Sequence, residues 1–310
     1  MKVAISGATG FIGKELIAQL DASGNEYVLI SRDADRARKM FPRATSVLQW
    51  DLPSMPLGSE GSKGSEGLVG LEGLDGVIHM AGAPVAKRWT AAHKRAIEDS
   101  RVRYTRALVE ALRGVRERPP VLVSFSAIGY YGAHDDIRLN EASAPGTDFL
   151  AGVCRDWEAE AGKAVDLGIR VVNPRIGIVV GRGGGALAQM LLPFKLGLGG
   201  PIGNGRQWMS WIHVSDVVGL ILEALGNPAI SGPINLTAPD PVTNREFSKV
   251  LGRVLRRPAI LPIPVLGLKA MFGGFADILA TGQRVIPEKA IASGYHYRFT
   301  NLREALADAV

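Results

Sequence analysis

Three glycines near the start of the chain carry its clearest chemical signal. Gly7, Gly10 and Gly13 stand at GxxGxxG spacing in Ser6-Gly7-Ala8-Thr9-Gly10-Phe11-Ile12-Gly13. Each serves a different need at a phosphate site. Gly7 permits a tight turn, Gly10 lets the backbone approach a pyrophosphate, and Gly13 lets a following helix pack closely on a sheet. A helix beginning at Phe11 presents unpaired N–H groups and the positive end of its dipole, which suits bound phosphate. With Thr9, Phe11 and Ile12, these glycines are predicted to hold a dinucleotide. The choice of dinucleotide is read at the end of the second predicted strand. An acidic residue there would bind the adenosine ribose 2′-hydroxyl and repel a 2′-phosphate. The chain instead has Ser31-Arg32, a hydroxyl and a guanidinium able to pair with phosphate. NADP(H) is therefore the expected cofactor, with Asp33 next in line as a competing carboxylate.

These residues need elements to position them. Lys2–Ser6 is an apolar run, Phe11–Leu20 has helical spacing through Ile12, Leu16 and Leu20, and Gly24 closes that helix before a strand at Glu26–Ile30. Val77–Met80, Val121–Ser126 and Arg170–Val172 read as further buried strands, with helices over Trp89–Leu112 and Arg155–Leu167 between them. Strands alternating with helices predict an α/β fold with a doubly wound parallel sheet of the Rossmann type. Pro53–Gly73, with its near-repeat SEGSKGSEG, reads as a surface loop. From Gly181 the pattern changes to Gly-rich loops, the stretch Trp211–Leu225, a helix at Asn244–Leu255 and the Pro-rich 258–264. The expected organisation is a cofactor domain over 1–173 and a smaller C-terminal α/β substrate domain over 174–310, with crossovers between them.

Composition narrows the function. With 310 residues, 46% hydrophobic and 21% charged, the chain is an ordinary globular one. Its net charge of +6 is scattered without a basic run, so nucleic-acid binding is not expected and the surplus favours phosphate-bearing ligands. One cysteine, Cys154, allows no intramolecular disulfide and no cysteine-based zinc site. No metal is expected, and the lone thiol suits the cytoplasm. The start, MKVAISGATG, enters a strand at once, so no signal peptide is expected. The apolar stretch Ile260–Leu279 is interrupted by two prolines and three glycines and carries Lys269 and Asp277, so it does not read as a membrane span. A small-molecule substrate is expected; the oligomeric state is not legible.

Several motifs together resemble the extended or atypical short-chain dehydrogenase/reductases: SGATGFIG, VIHMAGAP at 77–84, SFSAIGYYG at 124–132, NPRIGIVVG at 173–181 and WIHVSDVV at 211–218. The stretches RGGGALAQMLLPFKLGLGGPIGNGRQWMSWIH, NLTAPDPVTNREF and GQRVIPEKAIASGYHY narrow this to the epimerase family subgroup with a C-terminal domain of unknown function. Members of that subgroup go under the names nucleoside-diphosphate-sugar epimerase and, for some, SulA-type cell-division inhibitor. The resemblance implies that Met80, Ala81, Gly82 and Ala83 face the adenosine side of the cofactor. It further implies that Ser100 or Arg101 supports the strand-end loops, with Arg101 counted among the cofactor-binding residues, and that Ile178 and Val179 flank the nicotinamide.

The same resemblance implies a catalytic Ser or Thr, a Tyr, and a Lys four residues after it on one helix face. With Glu158 set at the glutamate that commonly follows the lysine by four, Cys154 falls at the lysine, Leu150 at the tyrosine and Ala127 at the upstream hydroxyl. The usual set is thus replaced. Tyr130 and Tyr131, at the carboxyl end of the strand carrying Ser126, are the remaining proton donors, one acting and the other packing. Ser126, Arg88 and Trp89, and Arg206 and Trp208 in the Gly-rich loop, are the substrate-facing candidates, suited to an anionic head group beside a flat ring. His79, His213 and Asp216 read as structural. Two functions remain open: an NADP-dependent oxidoreductase or epimerase-like enzyme, and a non-catalytic NADP-binding sensor or interaction protein.

Overall fold

The computed structural model describes residues 1–50 and 70–310. Most of the stretch read as a Ser/Gly loop, Pro53–Gly73, therefore lies outside the described residues.

The opening unit is β1 (Lys2–Ser6), α1 (Phe11–Ala22) and β2 (Glu26–Ser31). Alternation along β1 feeds two cores. Val3 and Ile5 join Leu16, Ile17 and Leu20 of α1 on one face, while Ala4 joins Val28 and Ile30 of β2 on the other. A strand buried on both faces belongs inside a parallel sheet covered by helices. The chain continues through α2 (Ala34–Met40), β3 (Ser46–Gln49), β4 (Gly76–His79), α3 (Ala91–Asp99) and α4 (Val102–Arg113). Then come β5 (Val121–Ser124), α5 (Phe149–Gly162) and β6 (Arg170–Ile176). The later part comprises β7 (Ile178–Val180), α6 (Gly185–Lys195), β8 (Trp211–His213), α7 (Val214–Gly226) and β9 (Gly232–Leu236). The last helices used below are α8 (Asn244–Leu255), α9 (Val265–Phe272), α10 (Phe275–Ala280) and α11 (Leu302–Ala309).

The main sheet runs β9-β6-β5-β4-β1-β2-β3, all parallel, and Ser126–Ala127 extends it by pairing with the end of β6. The strand order reverses between β1 and β4, which places a crevice beyond their carboxyl ends, the usual ligand position in such sheets. The segments 178–180 and 211–213 form a separate parallel pair. A third core under the later half gathers Phe194, Trp211, Phe247, Leu251 and Leu306.

Three expectations are corrected. The helix expected over 89–112 is two, because the Thr90 hydroxyl caps α3 and the chain turns at Ser100-Arg101 before α4. The helix expected from Arg155 starts at Phe149, where the Asp148 carboxylate accepts the Ala151 N–H, and it ends in a 3₁₀ turn over Lys163–Leu167. The strand expected to stop at Val172 reaches Ile176, so a boundary at 173 falls inside β6, and β9 brings 232–236 back to the main sheet.

Candidate functional site

A cavity of about 640 Å³ opens at the reversal point, lined at one end by Gly7, Thr9 and Gly10 and at the other by Ser31, Arg32 and Arg36. Its size suits a large ligand. Gly7 has φ +82°, and a Cβ there would lie 2.8 Å from the Met80 carbonyl carbon, so the turn can press against the loop after β4 only as glycine. A Cβ on Gly13 would lie 2.5 Å from the Ala8 carbonyl oxygen. A Cβ on Gly10 meets only the Gly7 carbonyl oxygen, at 3.2 Å, and beyond it is open space. Helix α1 has no side-chain cap and no acidic residue in its first turn. Its N–H groups and positive dipole end are left for a ligand. Phe11 and Ile12 pack on the core instead, Phe11 against the glycines at 181, 184 and 185.

At the far end, the Ser31 hydroxyl accepts the Asp33 N–H at 3.2 Å and donates to the Asp33 carbonyl at 3.0 Å. The Asp33 carboxylate accepts the Arg36 N–H at 2.9 Å as the cap of α2. The acidic neighbour of Arg32 is thereby engaged in its own helix, and two exposed guanidiniums, Arg32 and Arg36, remain at the cavity rim. Arg36 and Trp50 were not among the candidates; an exposed arginine in a short helix has no local mark that separates it from an ordinary surface charge.

Met80, Ala81 and Gly82 line the same cavity. Behind them His79 is buried, its Nδ1 2.6 Å from Ser6 Oγ and its Nε2 3.1 Å from Thr105 Oγ1. Burial lowers its pKa to about 4, so the ring is neutral and ties β1, β4 and α4 together beneath the cleft. Ala83 donates its N–H to Ser100 Oγ at 2.9 Å, and its carbonyl accepts from Arg101 at 3.1 Å.

With this geometry in place, comparison with known proteins is decisive. The family described as NAD dependent epimerase/dehydratase matches residues 3–236, and a domain of unknown function, DUF1731, matches residues 263–309. The chain belongs to the NAD dependent epimerase/dehydratase family. It is 41% identical over 308 residues to the chloroplastic epimerase family protein SDR39U1 homolog of Arabidopsis thaliana, covering 99% of this chain and 86% of that one. It is 37% identical to epimerase family protein YfhF of Bacillus subtilis, covering 100% and 98%. Among solved structures, human epimerase family protein SDR39U1 with NADPH superposes with a TM-score of 0.84 at 35% identity, covering 99% of this chain and 98% of the human one.

In this family member a second polar cluster lies beside β5 and β6. The Arg175 guanidinium bonds Glu158 through Nε and Nη2, both at 2.8 Å, and the other Glu158 contact is the Ser126 hydroxyl, which donates to it at 2.6 Å. Arg175 Nη1 donates to the Tyr131 hydroxyl at 3.0 Å, which donates in turn to Asn235 Oδ1 at 2.7 Å. Burial alone would depress the Arg175 guanidinium, but the bonds and charge of Glu158 hold it above the ordinary arginine range. Burial pushes the Tyr131 phenol up to about 12. Tyr131 is fully buried with its hydroxyl engaged on both sides, so of the two tyrosines it is the one that packs. Ser126 is likewise turned inward to Glu158 rather than toward a substrate. Tyr130 is half-buried, its ring 3.4 Å below the Arg175 guanidinium, and its hydroxyl makes no hydrogen bond among the described residues. Burial and the Glu158 charge push the Cys154 thiol up to about 11, so it is protonated at neutral pH. Charge inside an interior strand is the sequence mark by which Arg175 could have been found.

The other candidates are dispersed. Arg88 donates to the Ala270 carbonyl at 2.9 Å, and the Trp89 ring packs between Phe149 and Phe275, so both join the loop after β4 to the C-terminal segment. Trp208 stacks on Arg284, 4.2 Å from ring centroid to guanidinium, and Arg206 is exposed; neither lines the main cavity. Ile178 and Val179 pack in apolar cores. Among the described residues no helix is long and apolar enough to cross a membrane.

Proposed function

We propose that this chain binds NADP(H) and works as an oxidoreductase or epimerase-like enzyme on a small or nucleotide-linked substrate. The observation that carries the reading is the cavity with an uncapped helix N-terminus at one end and Arg32 and Arg36 at the other. NADPH in the structure of the human relative supports the same choice. Gly7, Thr9, Gly10 and the first turn of α1 (Phe11, Ile12, Gly13) would hold the diphosphate. Ser31, Arg32 and Arg36 would take the 2′-phosphate, and Met80, Ala81 and Gly82 would bound the adenosine. A bound nicotinamide supplies the hydride donor or acceptor. The chain's own task is to orient the substrate and move one proton. Tyr130 fits that task because its ring is clamped under Arg175 while its hydroxyl is uncommitted. Ala127, Leu150 and Cys154 offer no ionisable partner at neutral pH, so the Tyr130 proton is exchanged with water rather than through a lysine. Loss of a well-placed acid costs about 10²–10⁴-fold in rate, so turnover is expected to be slow. Arg88, Trp89 and Arg206 would meet the substrate, and the buried free thiol of Cys154 suits a cytoplasmic setting.

Titration of the purified chain with NADPH and NADH tests the reading. NADPH is expected to bind at least about tenfold more tightly, about 1.4 kcal/mol, and Arg32→Asp should erase the difference. Equal affinities in the unmodified protein would refute the cofactor assignment. For any substrate found by screening with NADPH present, Tyr130→Phe should slow turnover at least about tenfold, and Cys154→Ala should not.

A further inference from the structure

We propose that the surface formed by the end of α6, the loop after it and the segment 256–271 docks on an anionic lipid bilayer, lying on the membrane rather than crossing it. Seven of the twelve large apolar side chains that are exposed among the described residues fall in 192–198 and 260–271. Ile260 and Leu266 are each 80% exposed, and Leu196, Leu198, Leu261 and Met271 are more than half exposed. The backbone draws the two segments together. Arg257 Nε donates to the Lys195 carbonyl at 2.9 Å, the Ile263 N–H to the Pro201 carbonyl at 2.8 Å, and the Gly203 N–H to the Ile263 carbonyl at 3.0 Å. A Cβ on Gly197, between Leu196 and Leu198, would lie 3.6 Å from the Pro258 ring.

Helix α9 continues this surface and has no buried residue. Val265, Leu268 and Phe272, at i, i+3 and i+7, are half-buried and form its inner side. Leu266, Ala270 and Met271 are exposed, and Lys269 is the only charge in the helix. A surface helix ordinarily turns a polar side to water, whereas this one turns out leucine and methionine. An exposed apolar patch rimmed by polar residues marks an interaction site.

Charge indicates what covers the patch. Segments 192–198 and 253–272 carry Lys195, Arg253, Arg256, Arg257 and Lys269, all exposed, and no Asp or Glu. Lys269 is paired with Asp277 at 2.9 Å, while the other four have no carboxylate within 4.0 Å among the described residues. Arg256 ends α8 in left-handed backbone with φ +54°, the one positive φ outside glycine among the described residues. Glycine is the ordinary residue at such a helix end, so a long cation stands where the backbone alone favours none. Exposed leucine and isoleucine beside unpaired lysine and arginine match an anionic bilayer, the apolar groups entering the acyl boundary and the cations meeting phosphate. A second copy docked about a two-fold axis would set these cations against themselves. Crossing is excluded by length, since α9 rises about 12 Å against a hydrocarbon core of about 30 Å.

Flotation of the full chain with vesicles tests this, because it separates bound protein from aggregate. The probes are vesicles of phosphatidylcholine alone and of phosphatidylcholine with an equal part of phosphatidylglycerol. Binding is expected with the anionic vesicles only and should weaken as salt rises. Ile260→Ser/Leu266→Ser and Lys195→Gln/Arg256→Gly should each lower that affinity at least about tenfold. Melting temperature should hold in both, and so should any NADPH affinity, since none of the four residues lines the dinucleotide cavity. If a double variant does not fold, Leu266→Ser or Arg256→Gly alone carries its arm. The proposal is overturned if neither vesicle binds, if both bind alike, or if a folded variant of either kind binds as the unmodified chain does. A concentration-dependent dimer in sedimentation that Ile260→Ser/Leu266→Ser dissolves and anionic vesicles do not would also overturn it, and the patch would then belong to a second copy.

Discussion

Replacing Glu158 by alanine should destabilise the fold by about 3–5 kcal/mol, the usual cost of leaving one partner of a buried ion pair alone. The magnitude follows from the surroundings. The side chains of Arg175 and Glu158 are 3% and 13% exposed, and Glu158 accepts from Arg175 Nε, Arg175 Nη2 and Ser126 Oγ at 2.8, 2.8 and 2.6 Å. Without it, Arg175 keeps only the Tyr131 hydroxyl at 3.0 Å and the Glu141 carbonyl at 3.3 Å as hydrogen-bond acceptors, both neutral. Urea unfolding with the slope held constant reads the loss directly, and melting should fall by on the order of 10 °C. Arg106→Ala is the internal control. Its partner Glu160 is buried, but Arg106 itself is 56% exposed and Glu160 retains Lys163 at 2.8 Å, so that change should cost no more than about 1 kcal/mol. An apolar pair, Glu158→Leu with Arg175→Met, should recover part of what Glu158→Ala loses. A Glu158→Ala variant as stable as Arg106→Ala would refute the view that this pair is desolvated in solution.

Two further outcomes are expected. Gly10→Val should abolish dinucleotide binding with little change in melting temperature, because its side chain would enter the open cavity rather than the core; undiminished NADPH titration by a folded variant would refute that placement. His79, held near pKa 4 by burial against an ordinary 6.5, takes up a proton in the unfolded chain before the folded one, so its contribution is intact above about pH 6.5 and falls as pH drops toward 4. The full span of 2.5 units corresponds to roughly 3 kcal/mol, and a stability slope between pH 6.5 and 5 left unchanged by His79→Asn would exclude His79 as its source.

The opening β-α-β unit was legible because every cue is local: an apolar run, a glycine turn, a helix face and a second apolar run within Lys2–Ser31. Helix α8 was legible for the same reason, with Thr243 capping it through the Glu246 N–H. The edge strand Ser46–Gln49 was missed, since four residues, three half-buried and one exposed, are too short a run to show a buried-strand pattern. The break between α3 and α4 was missed because Ser100-Arg101 interrupts the helix without glycine or proline. At the site, the glycines announce themselves by spacing, whereas the engagement of Asp33 by α2 and the rim position of Arg36 depend on how a turn closes. Tyr130 and Tyr131 are chemically identical in sequence. Only Asn235, 104 residues away, and Arg175 make one of them structural.

That long-range dependence extends to the segment matching DUF1731. Arg88 is tied to the Ala270 carbonyl, the Trp89 N–H donates to the Phe272 carbonyl, and the Trp89 ring meets Phe275, so the loop after β4 has its outer side fixed by α9 and α10. Farther along, the buried Asp216 of α7 accepts the N–H groups of Arg298 at 2.7 Å and Phe299 at 3.0 Å, and Glu141 accepts those of Asn235 and Lys289. Without the segment the buried Asp216 would lose both of these donors and Glu141 would keep only the Asn235 N–H, a larger penalty than the loss of exposed contacts. The C-terminal segment is therefore joined to the cofactor half through buried polar bonds. It braces the loop that carries Trp89 while contributing no residue to the lining of the dinucleotide cavity. In this fold the segment's physical task is to hold the cleft's outer loop and the ends of β9 and α7 in register. Variation within it can then reshape that outer loop while leaving Arg32, Arg36 and the glycine turn undisturbed.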